Sequence, residues 1–353
     1  MFRVERLVFR VKMGKWRWLA APLAVLYGGV ITLRHLLYDE HVLPKYTPHI
    51  PTICVGNLAV GGTGKTPMVE YLIRLLQKHG YKVGVLSRGY KRRTHGFQIA
   101  GAQSTADTIG DEPMQIHSKF PDVLVAVCEE RVIGIRRIQN MPSPPDVVLL
   151  DDAYQHRSIV CGLNILLTAY DNLYVHDHLL PLGTLRDIAF RASKANIVVV
   201  TKCPDNIRPI DKRVVDNSLK LATFQHLYFS KIKYEPVQVE GVPLLIASIA
   251  RPEYLVEHVR SRYSNAEVLT YPDHHRFTAN DVSTILQRAE HCDCILTTEK
   301  DMQRLRQTDL FERFDKPVIP LPIRVTVDAE VRTLDDDVLA YVSESTRKLK
   351  GEN

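Results

Sequence analysis

Ala59-Val60-Gly61-Gly62-Thr63-Gly64-Lys65-Thr66 joins an extended apolar run (Ile50, Ile53, Val55) to a run of helical period (Met68, Leu72, Ile73, Leu76). Residues of these types in this order suit a nucleotide phosphate. Glycines let backbone N–H groups turn toward an anion, a helix start adds partial positive charge, a lysine reaches the outer phosphates and a threonine hydroxyl can ligate Mg²⁺. Ala59 stands where the general P-loop expression has glycine. Further on, Val147-Val148-Leu149-Leu150-Asp151-Asp152 is an apolar strand ending in two acids, as a Walker B element would be. Phosphoryl transfer holds Mg²⁺ between the P-loop hydroxyl and a strand-end carboxylate, roles that Thr66 and Asp151 or Asp152 fit.

Three further groups could take part. Leu180-Pro181-Leu182-Gly183-Thr184-Leu185-Arg186-Asp187 offers an arginine able to stabilise charge on a transferring phosphoryl group, with an acid beside it that can help with the metal. Gly110-Asp111-Glu112-Pro113 puts an acid at a helix start, where aspartate also serves as a cap, and Asp273-His274-His275 lies in a loop after a strand. A carboxylate can accept the proton of an attacking hydroxyl while a histidine orients it. Such a pair is expected to meet across a domain cleft, closure of the smaller domain excluding water. Ser87-Arg88-Gly89-Tyr90-Lys91-Arg92-Arg93 is a basic loop suited to an anion, and Thr298-Glu299-Lys300-Asp301 has the spacing of a helix-initiating capping box.

The elements that must position these residues are legible as continuous apolar runs separated by helical patterns: Lys82 to Leu86, Val123 to Val127, Val147 to Leu150, Asn164 to Leu167 and Ile197 to Val200. Buried parallel strands read in this way, with ligands at their carboxyl ends. The expected fold is α/β: a mainly parallel P-loop NTPase-type domain over residues 41–225, and a smaller α/β domain over 226–327. Strands at His226–Tyr234 and Leu321–Val327 would join the two as a paired linker, and residues 328–353 would form a terminal helix and tail.

The chain has 353 residues and a formal charge of +6, all of it in residues 1–38, where seven Lys/Arg face the single acid Glu5. A nucleic-acid-binding body would spread its basic patch over the folded domain, so no nucleic-acid partner is expected. The apolar run from Trp18 to Leu33, broken by Pro22, Gly28 and Gly29, with Trp16, Trp18 and Tyr27 beside it, predicts a membrane-associated helix over residues 1–40 lying in or dipping into one leaflet, although a buried helix of a soluble fold fits the pattern as well. Ala20-Ala21 precedes most of that run, the wrong order for a signal-peptide cleavage site. Six scattered cysteines, Cys292 and Cys294 beside His291 among them, imply reduced thiols.

Taken together these segments resemble the tetraacyldisaccharide 4′-kinase family. The matching residues are Val55-Gly56-Asn57-Leu58 with Gly61 to Pro67, Ser87 to Tyr90, Gly110 to Pro113, Asp151-Asp152 with Gln155-His156, Leu180-Pro181 with Gly183 and Leu185-Arg186, Pro272 to His275, and Thr297 to Asp301. The variant loop at Ala59 is one this family shares. The resemblance implies ATP-dependent phosphorylation of the 4′-hydroxyl of a lipid disaccharide 1-phosphate at the cytoplasmic face of the inner membrane, with no obligate protein partner. It implies that Asp111 with His274 activates the hydroxyl, that Lys65 and Arg186 hold phosphates, and that Thr66, Asp151 or Asp152, and Asp187 serve Mg²⁺. Tyr90, Arg131, Gln155 and His156 would grip the sugar headgroup. Ala153 departs from the family's usual glycine and Asp187 from its common glutamate, so that Asp187 would reach a metal through water. The alternative from another class is a membrane-associated P-loop ATPase or GTPase switch without a phosphate acceptor; Thr201-Lys202-Cys203-Pro204-Asp205 lacks the base-reading motif a GTPase needs.

Overall fold

The computed structural model describes residues 20–328 and 332–350. Six of the N-terminal basic residues, Arg3 to Arg17, lie outside them, as do Trp16 and Trp18. In chain order the elements are α1 (Ala21–Asp39), β1 (Thr52–Asn57), α2 (Lys65–Lys78), β2 (Val83–Ser87), β3 (Gln98–Ile99), α3 (Ala106–Ile109), α4 (Asp111–Lys119), β4 (Leu124–Val127), α5 (Arg131–Gln139), β5 (Val147–Asp151) and β6 (Leu163–Ala169). There follow β7 (Ile197–Thr201), α6 (Pro209–Leu219), β8 (His226–Tyr234), β9 (Pro243–Ala247), α7 (Glu253–Arg262), β10 (Glu267–Thr270), α8 (Ala279–Arg288), β11 (Cys294–Thr298), α9 (Glu299–Leu305), α10 (Leu310–Arg313), β12 (Val318–Leu321), β13 (Ile323–Val327) and α11 (Leu334–Lys350).

The fold divides into two compact units. The first comprises residues up to Gly84, Arg131–Ile232 and the chain from Val325; the second comprises Val85–Glu130 and Lys233–Arg324. The chain thus passes between units within β8 and within β13, which are neighbours in the sheet.

In the first unit the strands run β8-β7-β6-β1-β5, each pair parallel. Their side chains are buried on both faces, β1, β5 and β7 throughout, which is why they read as unbroken apolar runs. Helix α11 packs back on this unit: Leu334, Val338 and Val342 are buried, and the Tyr341 hydroxyl donates to the Thr52 carbonyl at 3.1 Å. Helix α1 buries only a narrow stripe, Ala24, Ile31 and His35, and presents Leu23, Val25, Leu26, Val30, Leu33 and Leu36 outward. At 19 residues it is long and apolar enough to cross a membrane.

In the second unit β9, β10, β11 and β12 form a parallel sheet in the order β10-β9-β11-β12. Alternate residues face opposite cores: Leu244, Ile246 and Ile295 pack with Val282 and Ile285 of α8, whereas Leu245, Ala247 and Leu296 pack with Leu255 and Val259 of α7. Helix α4 lies on α9, tied by Lys119 to Glu299 at 2.6 Å.

Candidate active site

The phosphate loop sits where the sequence put it. It leaves β1 at Asn57 and enters α2 at Lys65, with Gly64 at the helix cap in the left-handed region (φ 83°) and Gly61 at φ 103°. No side chain caps this helix start. Its first-turn N–H groups have no intrahelical acceptors, which leaves them for an anion. Ala59 and Thr63 are buried, Val60, Gly61 and Gly62 exposed, and the Thr63 carbonyl is held by the Thr201 hydroxyl at 2.8 Å.

A second segment runs along this loop. The Val60 N–H donates to the Thr184 carbonyl and the Arg186 N–H to the Leu58 carbonyl, each at 2.8 Å, and Ala59 bridges Leu185 antiparallel. This ladder sets Arg186 beside Lys65. The Arg186 guanidinium grips the Asp152 carboxylate with two nitrogens and donates to Asn57 Oδ1 at 2.7 Å; Lys65 Nζ lies 3.4 Å from the same Oδ1 and 3.9 Å from Asp152. Asn57, fully buried at the end of β1, is therefore the hub of the cationic pair. Asp152 adopts φ 49°, strained for a non-glycine residue. Burial pushes its carboxyl up, but Lys65 and Arg186 outweigh that and hold it below the ordinary value. Asp151 is 1 % exposed and Thr66 lies in the first turn of α2, and both carry hard oxygen donors.

Asp187 is 1 % exposed, and its Oδ1 accepts from His35 Nε2 at 2.6 Å and from the Ile188 N–H at 2.8 Å. Arg131 is buried with its guanidinium donating to the Asp151 carbonyl at 3.3 Å, where it braces the end of β5. Gln155 donates to the Asn57 carbonyl at 2.6 Å, and His156 is half-buried on the same turn. All of these lie in the first unit.

Asp111, His274 and Tyr90 lie in the second. The expected meeting of Asp111 and His274 across a cleft between domains is replaced by a contact inside one unit: His274 Nδ1 is 3.0 Å from Asp111 Oδ2. The reason is the packing of α4 on α9, with α9 carrying two cations into the pair. Arg304 donates to Asp111 Oδ2 at 2.7 Å, and Lys300 Nζ lies 3.1 Å from His274 Nε2. An ammonium only donates, so Nε2 accepts from Lys300, while Nδ1 faces the Asp111 carboxylate with Arg304 Nη2 3.3 Å away. Burial pushes the Asp111 carboxyl up; the hydrogen bonds from His274 and Arg304 reverse this and lower it to about 2. Gly110, at φ 95°, lets the Tyr90 loop approach the start of α4, since a Cβ there would stand 3.2 Å from the Tyr90 carbonyl. The Tyr90 ring meets His274 edge-on at 5.3 Å and is itself exposed.

Lys300 and Arg304 escaped the sequence reading because Thr298 does cap α9, accepting from the Asp301 N–H at 2.9 Å, which accounts for the segment locally. Asn57, His35 and Thr201 were missed for a similar reason: each sits in an element whose residues already explain themselves as strand or helix.

The family described as tetraacyldisaccharide-1-P 4′-kinase matches residues 16–342. A tetraacyldisaccharide 4′-kinase of Bacteroides fragilis is 41 % identical over 362 residues, covering 96 % of this chain and 95 % of its own. That of Flavobacterium johnsoniae is 42 % identical over 337 residues, covering 92 % and 96 %. A crystal structure of LpxK from Aquifex aeolicus in complex with ATP superposes with a TM-score of 0.72 at 26 % identity, over 94 % of this chain and 99 % of that one. A family match over residues 16–342, with relatives 41 % and 42 % identical over nearly the whole chain, places the chain in the tetraacyldisaccharide-1-P 4′-kinase family.

Proposed function

We propose that this lipid kinase works with its first unit's residues on the phosphate donor and its Asp111–His274 pair on the acceptor hydroxyl. The reaction is transfer of the γ-phosphoryl group of ATP to the 4′-hydroxyl of a tetraacyldisaccharide 1-phosphate, in lipid A biosynthesis. The bond from the 4′-oxygen to phosphorus forms, the bond from phosphorus to the β,γ-bridging oxygen breaks, ADP leaves and the hydroxyl proton goes to Asp111. The observation that carries the reading is the half-buried Asp111, held by His274 at 3.0 Å and Arg304 at 2.7 Å. A switch without an acceptor has no use for a carboxylate so oriented.

The loop amides and Lys65 cradle the phosphates, and Arg186 balances charge on the transferring group. Thr66 with Asp151 or Asp152 would hold Mg²⁺, Asp187 standing behind Arg186; when bound, the ion neutralises charge developing on the β- and γ-oxygens. A carboxylate of low basicity suits a loose transition state, in which the hydroxyl proton departs late and the first task is orientation. His274 fixes the carboxylate from Nδ1, and Lys300 fixes His274. Tyr90, Gln155 and His156 are assigned to the sugar headgroup, with Arg131 acting through the end of β5.

His274 and Arg304 together set the acid limit of the reaction. Asp111 is ionised above a value lowered to about 2, so the stabilisation it lends the fold is complete above the unfolded carboxyl value near 4 and fades only as pH falls from there through about 2. Arg304→Gln removes a cation at 2.7 Å. The acid limb of kcat/KM is expected to move up by roughly 1–3 pH units, read from a pH–rate profile; an unmoved limb removes Arg304 from this role.

The enzyme is membrane-associated, and we place it on the cytoplasmic leaflet of the inner membrane, where ATP is available. The outward apolar face of α1 supports this. Leu26→Glu with Val30→Glu, two exposed positions, is expected to leave most of the protein in the supernatant when anionic vesicles are pelleted. Full pelleting of the double variant contradicts the assignment of that face.

The reading is tested by ADP release with detergent-dispersed disaccharide 1-phosphate and with its 4′-deoxy analogue. Release that requires the 4′-hydroxyl supports it; equal release with both, or with neither lipid, refutes it.

A further inference from the structure

Helix α1 does more than present an apolar face. From its inner side it reaches the segment that carries Arg186 and Asp187. The Tyr27 hydroxyl donates to the Arg186 carbonyl at 3.0 Å, and His35, 4 % exposed, meets Asp187 Oδ1 at 2.6 Å. Asp187 Oδ2 is sealed from solvent with no hydrogen-bond partner among the described residues, so Oδ1 carries the carboxylate's contacts, to His35 and to the Ile188 N–H.

His35 is itself fixed from behind. Arg157 donates to the His35 carbonyl at 2.7 Å, its Nη1 stands 3.3 Å from the ring Nδ1, and its guanidinium pairs with Asp39. An arginine can only donate, so Nδ1 accepts and the ring proton is on Nε2, pointed at Asp187. Arg34 adds a bond to the Gln155 carbonyl at 3.1 Å, on the turn that follows Asp151 and Asp152. One helix thus holds both loops that carry the acids and the arginine of the phosphate site.

We propose that His35 is a positioning residue for phosphoryl transfer. By donating to Asp187 it fixes Arg186 and Asp187 beside the phosphate loop, so the membrane helix is a working part of the active centre as well as its anchor. The inference rests on the kinase reading above. An apolar residue would fill the same stripe after Ala24 and Ile31 equally well; a buried histidine aimed at a buried carboxylate indicates that the stripe is built around that contact.

The test uses the full chain with detergent-dispersed substrate, so that membrane binding does not limit the rate. For His35→Ala we expect kcat to fall ~10- to 100-fold, with KM for the lipid within about twofold and vesicle pelleting as in the wild type. Amide hydrogen exchange at Asp187 and Ile188 should quicken in the same variant. His35→Gln, whose side-chain amide can also donate, should recover most of kcat and the slow exchange. The inference is overturned by wild-type kcat in a folded His35→Ala protein, by unchanged exchange at Ile188, or by a loss that His35→Gln does not relieve, which would make the residue a packing element only. If the wild type itself transfers no phosphate, the kinase reading fails instead, and the exchange measurement still decides whether His35 fixes Asp187.

Discussion

Asp111→Asn lowers kcat by roughly 10²- to 10⁴-fold, the range removed with a general base, while the dissociation constant for ATP stays within about twofold. The substitution keeps the side chain's size and its place at the start of α4, but it removes the charge that Arg304 and His274 converge on. An amide oxygen can still accept from His274; it can no longer take a proton from a hydroxyl. ATP affinity is spared because the phosphate-holding residues belong to the other unit. Steady-state kinetics with nucleotide-binding titration separates the two effects. A variant with wild-type turnover excludes Asp111 as the base.

Arg186→Ala is the second large loss. Arginines that balance charge in phosphoryl transfer contribute roughly 10³- to 10⁵-fold to turnover, and Arg186 is held for such a role by Asn57 at 2.7 Å and by both oxygens of Asp152. Its loss also releases Asp152, whose carboxyl is kept low by Lys65 and Arg186 together. Arg186→Lys should restore little, because one ammonium cannot span Asn57 and Asp152 as the planar fork does. Full activity in Arg186→Lys would mean that charge alone is needed there.

Much of the first unit was legible before any coordinates. Val147 to Asp151 and Ile197 to Thr201 are strands because buried parallel strands admit little but branched apolar residues, and the phosphate loop announces itself by composition. The strand read at His226–Tyr234 appears with those bounds. Less visible was β12, whose Pro320 argues against a strand; it is tolerated because β12 is the edge of its sheet.

The site divides in the same way. Lys65, Thr66, Asp151 and Asp152 are encoded by local pattern. The surroundings of Asp111 are not: His274, Lys300 and Arg304 reach it only through the packing of α4 on α9, and Thr298-Glu299-Lys300-Asp301 satisfies a helix cap so well that nothing local asks for more. His35 is hidden likewise, one histidine on an otherwise apolar helix, its meaning supplied by Asp187 far along the chain. Local rules exposed residues whose geometry is made by neighbours, and tertiary contact made the rest.

The central claim is that a hydroxyl receives the phosphoryl group. The most direct measurement follows the terminal phosphate of labelled ATP through one turnover with detergent-dispersed disaccharide 1-phosphate and locates it by phosphorus NMR. The account predicts a new phosphomonoester at the 4′ position of the lipid, absent with Asp111→Asn. Label recovered as free phosphate, with the lipid unchanged, contradicts it.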